Sequence, residues 1–188
     1  MISKLFEVAA NKMANEEDKK VVEGLRKLVG QVEQDLYTSK PRYIDAFFFP
    51  NEANIQKIVK YIGRAQRSLK ICVFNFTNND LSKAVLDRYK NGVDVRIVTD
   101  DECMTNKGSD IQFLANNGVP CRTDSEAAYH MHNKFMIVDD TFLLTGSFNW
   151  TVQAGLNNQE NLLVVDNPYY IEKYSKEFER LWMDFESN

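Results

Sequence analysis

The sequence predicts an α/β protein, a mixed β-sheet with helices on both faces, behind a helical N-terminal extension. Three observations carry this reading. Short apolar runs alternate with amphipathic segments of about 10–15 residues, the rhythm of strands and packing helices. Two helical segments stop at Asn-Gly, at Asn91-Gly92 and Asn117-Gly118. Two strand candidates, 132–139 and 141–147, follow too closely for a crossover, so the sheet is mixed rather than parallel.

Residues 1–39 lack Pro and are rich in charge. Val21, Val22, Leu25, Leu28, Val29, Val32 and Leu36 fall at helical spacing on one face. They predict a helical extension that docks on the domain or on a partner. SKPRY, 39–43, reads as the linker, which divides the chain into 1–39 and a domain at 40–188. Beyond it the expected order is strand 43–49, helix 51–66, strand 69–76, helix 81–92, strand 93–100, helix 109–118 and a short strand at VPCRT. The hairpin 132–147, a short helix near 150–157, strand 160–166 and a helix from Pro168 through Trp182 complete it.

Net charge is −4, and from residue 40 onward 17 basic residues face 20 acidic ones. That is no general nucleic-acid-binding signature, so a polyanionic substrate needs a local basic cleft. The run Lys57, Lys60, Arg64, Arg67 and Lys70 is a candidate lining. The three cysteines, Cys72, Cys103 and Cys121, are odd in number and form no C-x-x-C pair. Neither a disulfide framework nor a Cys-rich zinc site is expected. Free thiols point to an intracellular compartment, cytoplasmic or mitochondrial, rather than secretion. No transmembrane segment of about 20 apolar residues is present. The N-terminus lacks a signal-peptide core.

The chain has two histidines, His130 and His132. His132 and Lys134 are two apart at the start of a strand, so period-2 geometry sets both on one face. Ser147 and Asn149, also two apart, follow Gly146 at the end of the next strand. Two adjacent strands thus gather an imidazole, an ammonium, a hydroxyl and an amide, a set suited to phosphate. Lys134 offsets phosphate charge, while Ser147 and Asn149 donate to non-bridging oxygens. His132 attacks phosphorus or moves a proton. Glu160 opens the strand after the 150–157 segment, and a carboxylate on Nδ1–H would fix the tautomer of His132.

HNKFMIVD fits H-x-K-x(4)-D, with GSFN six residues on and WTVQAGLNNQENLLVV after it. The set resembles the HKD signature of the phospholipase D superfamily. DAFFFP, LKICVFNFTNNDLSKAVL and GVDVRIVTD resemble its single-HKD branch of bacterial endonucleases and Zucchini-type proteins, also called mitochondrial cardiolipin hydrolases. The resemblance spans about residues 43–182.

It implies a phospholipase D-like α-β-α sandwich and a phosphodiester hydrolase. His132 is the nucleophile forming a phosphohistidine, and Lys134 and Asn149 bind phosphate with Ser147 beside them. Glu160 orients His132. Asp139, the last motif residue, lies at opposite strand parity to His132 and supports the site through hydrogen bonds or a charge pair. No metal or cofactor is expected. One motif per chain implies a homodimer with the active site at its two-fold interface. The expected substrate is single-stranded nucleic acid, and cardiolipin or a related phospholipid is the alternative. Zucchini-type members typically carry an N-terminal membrane anchor and a Cys/His zinc insertion, and neither is visible here.

Overall fold

The computed structural model describes residues 6, 8, 12, 13, 15–38, 43–105, 108–124 and 130–185. The chain divides into two compact units, Met1–Lys40 and Pro41–Asn188. In the first, α1 (Glu16–Thr38) opens with Glu16, Glu17 and Asp18, which complement the positive end of the helix dipole. The ion pairs Lys19–Glu16 and Arg26–Glu23 are exposed and screened by solvent, so they add little. Most of the expected linker, residues 39–42, lies outside the described residues.

The second unit runs β1 (Ile44–Phe49), α2 (Glu52–Gly63), β2 (Ser68–Val73), β3 (Phe76–Thr77), α3 (Asn79–Lys90), β4 (Asp94–Thr99), α4 (Asp101–Thr105) and α5 (Asp110–Asn116). Then follow β5 (Cys121–Thr123), β6 (Lys134–Val138), β7 (Phe142–Gly146), β8 (Trp150–Thr151), α6 (Val152–Leu156), β9 (Glu160–Val165) and α7 (Pro168–Asp184). Asn51, Asn78, Ser109 and Asn167 cap α2, α3, α5 and α7 by accepting first-turn N–H groups.

Seven strands form one sheet in the order β1-β9-β7-β6-β2-β4-β5. β2, β4 and β5 are parallel, while β6, β7, β9 and β1 run antiparallel to their neighbours. The sheet is mixed because a tight turn, not a helix, joins β6 to β7. Alternation along each strand fills both faces. Ile71, Val73, Met136, Val138 and Leu144 pack in one core with Ile58, Ile62, Leu81 and Val85 of α2 and α3. Cys72, Phe135, Ile137 and Leu143 pack in the other with Ile171, Phe178 and Leu181 of α7.

The expected strand 69–76 is interrupted. Its chain leaves the large sheet after Val73, and Phe76–Thr77 pairs instead with Trp150–Thr151. The N–H of Trp150 donates to the carbonyl of Asn75 at this branch. The short helix α4 was not expected, because its five residues carry no readable period.

Candidate active site

The topology brings six chain segments to one end of the sheet. Val73, at the end of β2, pairs with Lys134, at the start of β6. Phe135 pairs with Thr145, which sets Gly146 opposite Lys134 as the next position of that register. Gly146 in turn pairs with Leu162 of β9, next to Glu160. The carboxyl ends of the parallel strands β4 and β5 lie at the same end. His132, Lys134, Ser147, Asn149 and Glu160 therefore share this end, and Asp139 does not.

Lys134 is 8% exposed. Its ammonium lies 3.1 Å from His132 Nδ1 and donates to the His132 carbonyl at 2.7 Å. The parity argument for this pair therefore holds in space. Phe74 walls the pair, with its ring 4.7 Å from the imidazole and 5.1 Å from the ammonium. Desolvation, then the positive field of Lys134, holds the His132 pKa below the ordinary histidine value. The ring is thus neutral at physiological pH. An ammonium can only donate, so Nδ1 is the acceptor and the proton sits on Nε2.

Ser147 is engaged rather than free for substrate. Its hydroxyl donates to Glu160 Oε2 at 2.5 Å and accepts from the Asn161 N–H at 3.1 Å. The other Glu160 oxygen accepts from Asn158 Nδ2 at 3.1 Å. Among the described residues no hydrogen bond joins Glu160 to His132 of the same chain. The expected orienting contact is therefore not made within one chain, because Ser147 and Asn158 hold the carboxylate. Gly146 makes this corner possible, since a Cβ there would sit 2.1 Å from the Asn161 carbonyl oxygen.

Asn149 Oδ1 is buried without a hydrogen-bond partner, and so is Asn75 Oδ1. The two residues each precede one partner of the Phe76–Trp150 pair. An unmet buried amide oxygen calls for a donor, whereas a phosphate oxygen is an acceptor and could engage only the Nδ2 of Asn149.

Asp139 sits at the far end of β6, five residues and about 16 Å along the strand from Lys134. Its carboxylate accepts the backbone N–H groups of Gln66, Arg67 and Ser68 at 2.8–2.9 Å. Those bonds hold its pKa below the usual carboxylate value against the opposing cost of burial. Its φ of 53° places it in the left-handed region that Asp tolerates. Asp139, expected to support the site through hydrogen bonds or a charge pair, instead clamps the α2–β2 connection, away from the catalytic group.

The profile of the family described as "Cardiolipin synthase, PLD-like domain" matches residues 58–182. The chain belongs to this PLD-like family. It is 44% identical over 135 residues to the mitochondrial cardiolipin hydrolase of Xenopus tropicalis, covering 72% of this chain and 64% of that protein. Identity to the human mitochondrial cardiolipin hydrolase is 40% over 134 residues, covering 71% and 53%. The chain thus spans about three fifths of the length of the first curated relatives it matches. Among solved structures, Nuc from Salmonella typhimurium, a phospholipase D family member, superposes with TM-score 0.72 at 31% identity. The match covers 79% of this chain and 99% of Nuc. NucT from Helicobacter pylori, at TM-score 0.68 and 24% identity, shares the fold.

In this PLD-like domain four residues of the candidate basic lining, Lys57, Arg64, Arg67 and Lys70, are engaged within the fold. Lys57 packs over Phe47, and Arg64 over Tyr61 and Phe142. Arg67 donates to the Asp139 carbonyl. Lys70 is buried and paired with Asp140 and Glu179. Those of Arg64, Arg67 and Lys70 lie toward the Asp139 end. Of the aromatic side chains that an apolar lipid surface could use, Phe47 is core, Phe48 is exposed and Phe74 belongs to the site.

A groove of about 300 Å³ beside His132 is lined also by His130, Asn133, Arg180 and Phe185. Asn75 and Asn158 escaped the sequence reading. Asn158 alone had a signal, two residues before Glu160 at the start of a strand. Among the described residues no helix is long and apolar enough to cross a membrane.

Proposed function

We propose that this chain is one half of a phosphodiesterase that works through a phosphohistidine on His132. The observation that carries the reading is the neutral His132 ring held 3.1 Å from a buried ammonium. A phosphate drawn to Lys134 is thereby set against the imidazole. Asn149 donates to a second phosphate oxygen, and Ser147 positions Glu160.

Proton placement argues for two chains. The tautomer in one chain carries its proton on Nε2, whereas a leaving oxygen is protonated from the Nε2 of an imidazolium, which holds a proton on Nδ1 as well. Attack through Nε2 needs that proton on Nδ1, with a carboxylate there to receive it. Glu160 of the same chain makes no bond to His132, so a second copy is the source of both the orienting Glu160 and the second His132. One neutral imidazole attacks phosphorus as the bond to the leaving oxygen breaks; the other, as an imidazolium, protonates that oxygen and is left neutral, then takes a proton from the water that displaces the phosphohistidine nitrogen. Asp139 supports the scaffold only. No step in this route uses a metal.

The substrate we infer is single-stranded nucleic acid, supported by the groove beside His132 that His130, Asn133 and Arg180 also line. The second reading is cardiolipin or a related phospholipid, supported by the name and 44% identity of the Xenopus tropicalis relative. That relative's name also supports a mitochondrial location. A side-by-side cleavage assay on single-stranded DNA, single-stranded RNA and cardiolipin vesicles, with chelator present, tests the reading. Cleavage of oligonucleotides that weakens steeply with salt is expected. Turnover of cardiolipin alone would contradict the nuclease reading.

A further inference from the structure

Asp100 closes β4 at the same end of the sheet as His132, and it is fully buried. Its Oδ2 lies 3.0 Å from His130 Nδ1. Its Oδ1 is buried with no hydrogen-bond partner. A carboxylate with one oxygen left unmet in the interior is costly unless a proton or cation reaches it.

Two further groups converge there. One ligand atom each from Asp100, Glu102 and His130 lies within 4.8 Å of the others, and Glu102 and His130 are exposed while Asp100 is not. Two ligands of one tetrahedral zinc ion lie about 3.3 Å apart, given metal–ligand distances of about 2.0–2.1 Å. The 3.0 Å between Asp100 and His130 is close to that edge. An imidazole with two carboxylates suits a borderline cation better than magnesium or calcium, which take oxygen alone.

We propose that Asp100, Glu102 and His130 form a binding site for a divalent transition metal, separate from the phosphodiesterase chemistry. The ion ties the carboxyl end of β4 to the segment that leads into β6. Its occupancy is felt at the nucleophile through Phe74, whose ring lies 5.7 Å from His130 and 4.7 Å from His132. The site holds whichever substrate the enzyme takes.

The test uses the full chain stripped with chelator and dialysed, then titrated with zinc chloride by calorimetry, with melting followed in parallel. Wild type should saturate near one zinc per chain and melt at a higher temperature when loaded. His130→Ala and Glu102→Gln change exposed residues, so both should fold, and each should weaken zinc binding at least tenfold and lose the melting shift. His132→Asn should bind zinc as wild type does. Absence of saturable binding to wild type, equal affinity in both ligand variants, or a loss confined to His132→Asn would each overturn the proposal. The last result would place zinc on the nucleophile itself.

Discussion

The Lys134 ammonium donates to two atoms of one residue, Nδ1 and the carbonyl oxygen of His132. A single buried cation thus sets both the tautomer of the imidazole and the place where a phosphate is drawn. Lys134→Met removes the charge and keeps the apolar stem. Loss of one preorganised donor to developing charge costs about 10²–10³ in kcat. Single-turnover cleavage should show at least that loss, with the circular dichroism spectrum unchanged. Near-wild-type turnover would remove Lys134 from the chemistry.

Asp139 should govern stability rather than catalysis. Asp139→Asn loses charge-assisted bonds to three N–H groups, an expected cost of about 2 kcal/mol at pH 7. The folded pKa lies below the ordinary aspartate value. This stabilisation is therefore fully present above the unfolded pKa and is lost as pH falls through the folded one. Urea unfolding of both proteins from pH 7 down to pH 3 should show a gap that narrows only below about pH 4. A gap that is constant with pH would refute the carboxylate's role.

Gly146 has a steric reason that no hydrogen bond reveals. In Gly146→Ala the new methyl meets the Asn161 carbonyl oxygen at 2.1 Å and its carbon at 2.9 Å. Backbone must move, so about 3 kcal/mol of destabilisation is expected, at the upper end for overpacking. Thermal melts check the stability. Activity should fall more than stability explains, because the same shift carries Ser147 away from Glu160.

Ser147 and Glu160 should act as a unit. In a double-mutant cycle, Ser147→Ala and Glu160→Gln should each lower kcat, and the double variant should lose less than the two losses combined. A coupling of about 1–3 kcal/mol is the range for groups sharing a hydrogen-bond network. Additive losses would mean that Ser147 meets substrate directly.

Assembly has its own measurement. Wild type should run as a dimer by light scattering, and excess His132→Asn chains should poison it after subunit exchange. A fully active, monodisperse monomer would exclude the shared site.

Much of this site was legible because the period of a strand is fixed. His132 and Lys134 are two apart, so their common face followed from spacing, as it did for Ser147 beside the Gly146 corner. Asp139 shows what spacing leaves out. Its parity was readable, but its place at the far end depends on where β6 stops and on the left-handed turn after it. The helices on both faces followed from apolar periodicity. The break after Val73 did not, since Phe74, Asn75 and Phe76 continue an apolar run, and only Trp150 draws that chain away. Asp100 and His130 are 30 residues apart, and nothing local announces their contact. The basic run failed for a physical reason, because long cationic side chains also cover aromatic rings, as Lys57 and Arg64 do here.

The phosphohistidine is the centre of the account, and trapping it is the direct test. Enzyme mixed with a phosphodiester substrate is quenched within one turnover in alkali, where phosphohistidine survives, and digested for mass spectrometry. The account predicts a substrate-derived phosphoryl adduct on His132 in wild type, and neither adduct nor turnover in His132→Asn. An adduct on another residue, or full turnover by His132→Asn, would contradict it.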